Sequence, residues 1–139
     1  MKGVTNPDGW VRLDFPGGWP GDTVNKFTAE GRTKEEQEVF TLIKTLANFR
    51  KASSAIKTGK MMQYIPVDGL YVYFRYDNNQ TVMCVMNTSD KEKDVNFSKY
   101  SERTTGFTSA VDVLSAESLS TKNKFIIPSM QMRVFELTK

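Results

Sequence analysis

The sequence predicts a mainly-β chain, an antiparallel β-sandwich of Greek-key type preceded by a loop and one amphipathic α-helix. Three observations predict it. Up to about residue 32 no period holds, and Gly and Pro punctuate the chain, as in shaped loops. From Thr33 apolar residues recur at three- and four-residue steps, and from about residue 56 the period changes to 2, the repeat of half-buried strands. A length of 139 residues suits one compact domain and makes two large ones unfavourable.

The loop comes first. Asn6-Pro7-Asp8-Gly9 and Pro16-Gly17-Gly18 are turn signatures, and the stretch RLDFPGGWPGDTVNKF, Arg12 to Phe27, has neither helical nor strand period. Thr33-Lys34-Glu35-Glu36 then fits a capping box, in which the Thr33 hydroxyl accepts from the Glu36 amide and the Glu36 carboxylate reaches back. Val39, Phe40, Leu42, Ile43, Leu46, Ala47 and Phe49 make one wide apolar face, and Arg50 and Lys51 close the last turn, where cations suit the helix dipole. The spacing predicts a helix over 34–51.

GLYVYFRYDNNQTVMCVMN reads as a hairpin. Leu70, Val72, Phe74 and Tyr76 share one face, Tyr71, Tyr73 and Arg75 the other, and Asp77-Asn78-Asn79 turns the chain into a return strand over 81–87. Further strands are expected near 60–65, 93–97, 109–114, 124–128 and 131–138. Short strands so spaced, with polar turns between them, suggest a sandwich or barrel.

Composition narrows the function classes. Net charge is +3, with 19 basic residues scattered among 16 acids; a nucleic-acid binder concentrates its charge on one face, so no nucleic-acid partner is expected. Histidine is absent and Cys84 is the only cysteine. This removes the commonest general base and zinc ligand and any internal disulfide; no metal or cofactor is expected. Cys84 lies in an alternating apolar run and reads as a small buried hydrophobe. Pro7 and Asp8 stand where a signal peptide would need its apolar stretch.

DGWVRLDFPGGWPGDTVNKFTAEGRT followed by EEQEVFTLIKTLANFRKASSAIKTGK resembles the C-terminal portion of α-amylase-family glycoside hydrolases, of the neopullulanase, cyclomaltodextrinase and bacterial starch-utilisation α-amylase type. In that group an Arg-x-Asp-Phe-Pro-Gly-Gly-Trp loop follows the last strand of a (β/α)8 barrel. The eighth helix comes next, and the sandwich called domain C begins near a Gly-Lys step and a DG-x-Tyr-x-Tyr-x-Arg strand. Here these correspond to Arg12–Trp19, Thr33–Lys51, Gly59-Lys60 and Asp68–Arg75. DFPGGWPGD is the more specific element. The resemblance implies that residues 1–54 are the end of the catalytic barrel (loop 1–32, last helix 33–51) and that 55–139 are the sandwich. Because such a barrel needs about 250 residues, it also implies a C-terminal fragment.

The family's Asp nucleophile, Glu acid/base and second Asp lie upstream of the matched region, in motifs that include histidines. No catalytic residue is carried over, and the chain alone is expected to be inactive. Asp8, Asp14 and Asp22 are not promoted in their place, since Asx residues beside Gly and Pro stabilise turns. The resemblance puts the loop near the substrate cleft, making Trp10, Arg12, Asp14 and Trp19 the candidate substrate-binding residues. Trp10, Phe15 and Trp19 either stack on glucose rings or fasten the loop to its support, and aromatics serve packing more often. Tyr71 and Tyr73 either form a sugar platform or cover the sandwich.

Two function classes follow. One is the non-catalytic C-terminal part of a starch- or maltooligosaccharide-acting enzyme, supporting and shielding the catalytic barrel of the same polypeptide, with the α-glucan substrate met through that enzyme. The other is an independent α-glucan-binding sandwich. For the parent enzyme the resemblance implies a periplasmic or cell-envelope location. A helix stripped of its barrel would expose Val39, Phe40, Ile43, Leu46 and Ala47, each worth about 1.5–3 kcal/mol when buried. Such a helix should fold back over the sandwich, pair with another copy or be disordered, and self-association is the expectation.

Overall fold

The computed structural model describes residues 14–139. Two compact units divide at Thr41, a short one ending there and a larger one, Leu42–Lys139. Helix α1, Lys34–Ala52, runs across the division. Its capping box forms as the sequence predicts: the Thr33 amide donates to Glu36 Oε2 at 2.7 Å, and the Glu36 amide donates to Thr33 Oγ1 at 3.3 Å. Glu35 and Glu36 occupy the first turn, Arg50 and Lys51 the last, each sign placed against the opposite end of the dipole.

In the larger unit, α2 (Ser54–Thr58) leads into β1 (Lys60–Gln63), β2 (Leu70–Tyr76) and β3 (Thr81–Asn87). Then come β4 (Lys93–Asn96), a 3-10 turn (Phe97–Tyr100), α3 (Ser101–Thr104), β5 (Ser109–Asp112), β6 (Ser118–Ser120), β7 (Lys124–Ile127) and β8 (Gln131–Thr138). Six strands form one antiparallel sheet, ordered β1-β2-β3-β8-β5-β6, and β4 pairs with β7 in a second. This is the predicted sandwich. The β2–β3 hairpin has the predicted faces and turn: Tyr76 sits opposite Thr81, and Asp77 Oδ1 accepts the amides of Asn79 and Gln80, both at 2.8 Å.

Between the sheets lies the main core. Val72 and Phe74 of β2, Met83 and Val85 of β3, and Phe135 and Leu137 of β8 meet Val95, Phe125 and Ile127 of the small sheet. Phe97, Phe125 and Phe135 form a ring cluster with centroids 5.1–6.3 Å apart. Phe97 reaches it from the 3-10 turn, which the buried Thr104 hydroxyl fastens through the carbonyls of Phe97 and Tyr100. Neither this turn nor α2, α3 or β6 was expected. Each runs for five residues or fewer and carries no alternating apolar run to mark it in the chain.

β3 is buried on both faces. Opposite Met83 and Val85, its Val82 and Cys84 join Val134 and Ala55 in a second cluster, capped by Leu46, Phe49 and Ile56 from the helices and by Tyr73. Cys84 is therefore the small hydrophobe the sequence suggested, and burial pushes its thiol up. Of the outcomes open to α1, folding back over the sheet is seen for Leu46 and Phe49. Val39, Phe40, Leu42 and Ile43 stay exposed, Ile43 by 61%.

Polar ties hold α2 to the sheet. Arg75 donates to the carbonyls of Ile56 and Gly59, both at 2.9 Å, closing the helix end whose last carbonyls lack intrahelical partners. Gly59 permits this approach, since a Cβ there would lie 2.4 Å from the Ala55 carbonyl oxygen and 2.6 Å from that of Tyr76. Gln80 hydrogen-bonds the buried Ser53 hydroxyl and donates to Glu136 at 2.7 Å.

On the core-facing side, Asp112 is only 3% exposed. It accepts from Arg133 Nε at 2.6 Å and from the amides of Leu114 and Ser115 at 2.8 and 3.0 Å. Burial alone would raise its carboxyl, but these donors more than offset that, and the net shift is downward. Its contribution is thus present above the unfolded carboxylate value, near pH 4, and is lost as pH falls through the lower folded value. Urea titrations should show Asp112→Asn destabilised at neutral pH, with the gap from wild type closing as pH falls below the ordinary carboxylate range. Phe135→Ala should cost about 3–5 kcal/mol in the same assay, from the transferred surface and the cavity it leaves.

Candidate functional site

The loop of the short unit is built around one carboxylate. Asp22 Oδ2 accepts the Gly17 amide at 2.6 Å and the Trp19 amide at 3.1 Å, while the Asp22 amide donates to the Trp19 carbonyl at 3.2 Å. The amides of Trp19 and Gly17 hold the fully exposed carboxyl below its ordinary range. Gly17 has φ +103°, and a Cβ there would meet Asn25 Oδ1 at 2.4 Å; only glycine fits. This is the turn role the sequence assigned to Asp22.

The loop's aromatics divide in function. Phe15 packs on Phe27, centroids 4.8 Å apart, and so fastens the loop. Trp19 is 64% exposed at the tip. Arg32, which sequence reasoning passed over, ties the loop to the helix start: it donates to the carbonyls of Lys26 and Phe27 and to Gln37 Oε1, at 2.8–2.9 Å. Its guanidinium stacks over Phe40, 3.7 Å from the ring centre. Phe15, Pro16, Lys26, Arg32, Glu36 and Phe40 line an open pocket of about 470 Å³.

Of the four candidate substrate-binding residues, Trp10 and Arg12 lie outside the described residues. Asp14 and Trp19 are both exposed. The carboxylate that organises the loop is Asp22, and a group held acidic by amides is a poor proton donor at neutral pH. Among the described residues no three His, Cys, Asp or Glu side chains gather as a metal site requires.

Tyr71 and Tyr73 lie side by side on the outer sheet face, centroids 5.5 Å apart and inclined by 31°. The Tyr71 hydroxyl donates to Gln63 at 2.7 Å. Tyr73 packs on the Val82, Cys84 and Val134 cluster, and burial, then the neighbouring thiol, pushes its phenol up. Tyr73 therefore covers the sandwich. For the loop, the arrangement predicts that Asp22→Ala will lower the backbone order parameters of Gly17 and Trp19 in ¹⁵N relaxation, with the thermal midpoint of the sandwich unchanged.

Residues 61–136, more than half of the chain, match the family model described as the cyclo-malto-dextrinase C-terminal domain. The fold is shared by several solved enzymes. An Anoxybacillus α-amylase superposes with TM-score 0.62 at 16% identity over 73% of this chain and 22% of that one. The α-amylase of Geobacillus thermoleovorans, solved with acarbose, gives 0.64 at 13% identity over 78% of this chain and 24% of that one. The trehalose-6-phosphate hydrolase of Bacillus licheniformis gives 0.61 at 21% identity over 86% and 22%. The chain thus spans under a quarter of the length of these proteins. With an antiparallel sandwich in place and a family match running from β1 into β8, the chain belongs to the cyclomaltodextrinase C-terminal domain family of α-amylase-type glycoside hydrolases.

Proposed function

We propose that this chain is the non-catalytic C-terminal part of an α-glucan-hydrolysing enzyme, and that it supports and shields that enzyme's catalytic barrel. The observation that carries this reading is the family match over 61–136. The mechanism is burial. Val39, Phe40, Leu42 and Ile43 leave an apolar stretch of α1 open to water, and covering each side chain is worth about 1.5–3 kcal/mol. The barrel of the same polypeptide is the partner this reading supplies, and α-glucan is the substrate met through it, in the periplasm or cell envelope. Glycoside hydrolysis needs two carboxylates flanking the scissile bond. Asp14 and Asp22 are exposed loop residues, and Asp22 is committed to a turn. Trp19, exposed on its braced loop, is a described loop side chain open to a sugar face.

Pure chain incubated with soluble starch or maltodextrin should release no reducing ends; turnover would overturn the reading. Added to a cyclomaltodextrinase barrel lacking its C-terminal region, the chain should raise the barrel's thermal midpoint. Ile43→Asp should weaken that effect while leaving the chain's own midpoint unchanged. No stabilisation by the wild-type chain would count against the reading, and a dimer in light scattering that Ile43→Asp dissolves would assign the helix face to self-association instead.

A further inference from the structure

Between β1 and β2 the chain holds Ile65 and Val67 out in solvent, 89% and 64% exposed, along a groove of about 670 Å³ in the larger unit. Gln63, Tyr64, Lys99 and Glu102 line the same groove. Its size and mixture match ligand sites, in which apolar walls carry a few placed polar groups. Tyr64 is fixed: its ring stands edge-on to Tyr100 and Phe74, centroids 4.9 and 6.0 Å away. Its hydroxyl donates to Glu102 Oε2 at 2.9 Å. Burial, helped by that carboxylate, pushes the phenol to about 12, so it stays a neutral donor across the physiological range and holds Glu102 in place.

The charges around the groove balance. Lys93 and Lys99 stand with Asp68, Asp94 and Glu102, and Asp94 is already paired with Lys124 at 3.1 Å. The remaining lysines and carboxylates are matched, so the groove presents no one-sided field of the kind that gathers phosphates or cations. A neutral ligand with hydroxyls along its edges and an apolar face fits these walls: Lys99 donates, Glu102 accepts, Gln63 does both, and Ile65 and Val67 offer aliphatic surface.

We propose that this groove is a second α-glucan-binding site, separate from the Trp19 loop and built within the sandwich itself. The assignment of α-glucan as the sugar rests on the function proposed above. The test is an NMR titration of the full chain with maltoheptaose, with cellohexaose as the control. Saturable shifts are expected at the amides of residues 63–67 and 99–102. Lys99→Ala and Glu102→Gln, both at exposed positions, should each weaken binding about tenfold, the worth of one hydrogen bond to a charged group. Unchanged thermal midpoints would show that the variants remain folded. Shifts confined to the Trp19 loop, affinity indifferent to both variants, or no shift at all would overturn the groove. Each of those outcomes leaves the barrel-support reading intact, because its stabilisation assay involves no sugar. Equal binding of cellohexaose would overturn the α-glucan assignment.

Discussion

β3 carries the constraint on which the larger unit depends, because it must be buried on both faces at once. Met83 and Val85 close the space between the two sheets, while Val82 and Cys84 point the other way into the helix cluster. In a sandwich whose outer face met water, these outer positions would be polar. Their burial requires a cover, and the cover here is the C-terminal half of α1 with α2. Helix and sandwich are consequently one folding problem in this unit: Leu46, Phe49 and Ile56 need the sheet as much as the sheet needs them.

The polar residues on this junction give the packing its geometry. Apolar contact would tolerate α2 in several rotations; hydrogen bonds from Arg75 to the carbonyls of Ile56 and Gly59 select one. The same logic governs the loop of the short unit, where a carboxylate gathers two backbone amides and leaves Trp19 facing outward. In both places a charged side chain is committed to backbone groups, and such charge-assisted bonds add strength and fix geometry together.

Legibility followed length and period. α1, β2, β3 and β8 were readable from their length, and the four-residue β1, β4, β5 and β7 from short apolar stretches set between polar turns. The capping box was readable because its chemistry is local. The 3-10 turn and α3 were not, since their stability comes from Phe97 and Tyr100 entering a core assembled from distant strands. The site was less legible than the fold. Trp19 was picked out by the family resemblance and Gly17 by its turn signature, but Asn25 and Arg32, which also shape the loop, act through contacts that leave no pattern in the chain. The groove beside Tyr64 draws on residues from 62 to 102, and only the fold brings them together.

The matched family boundary begins at Met61, after α1 and α2 have ended. A polypeptide trimmed to that boundary would keep every strand and lose the roof over Val82, Cys84 and Val134. Its bare sheet would be open on that side, and Cys84, now sheltered from oxidants, would lose most of that shelter. For anyone excising this module, the natural scissor line lies before Leu42.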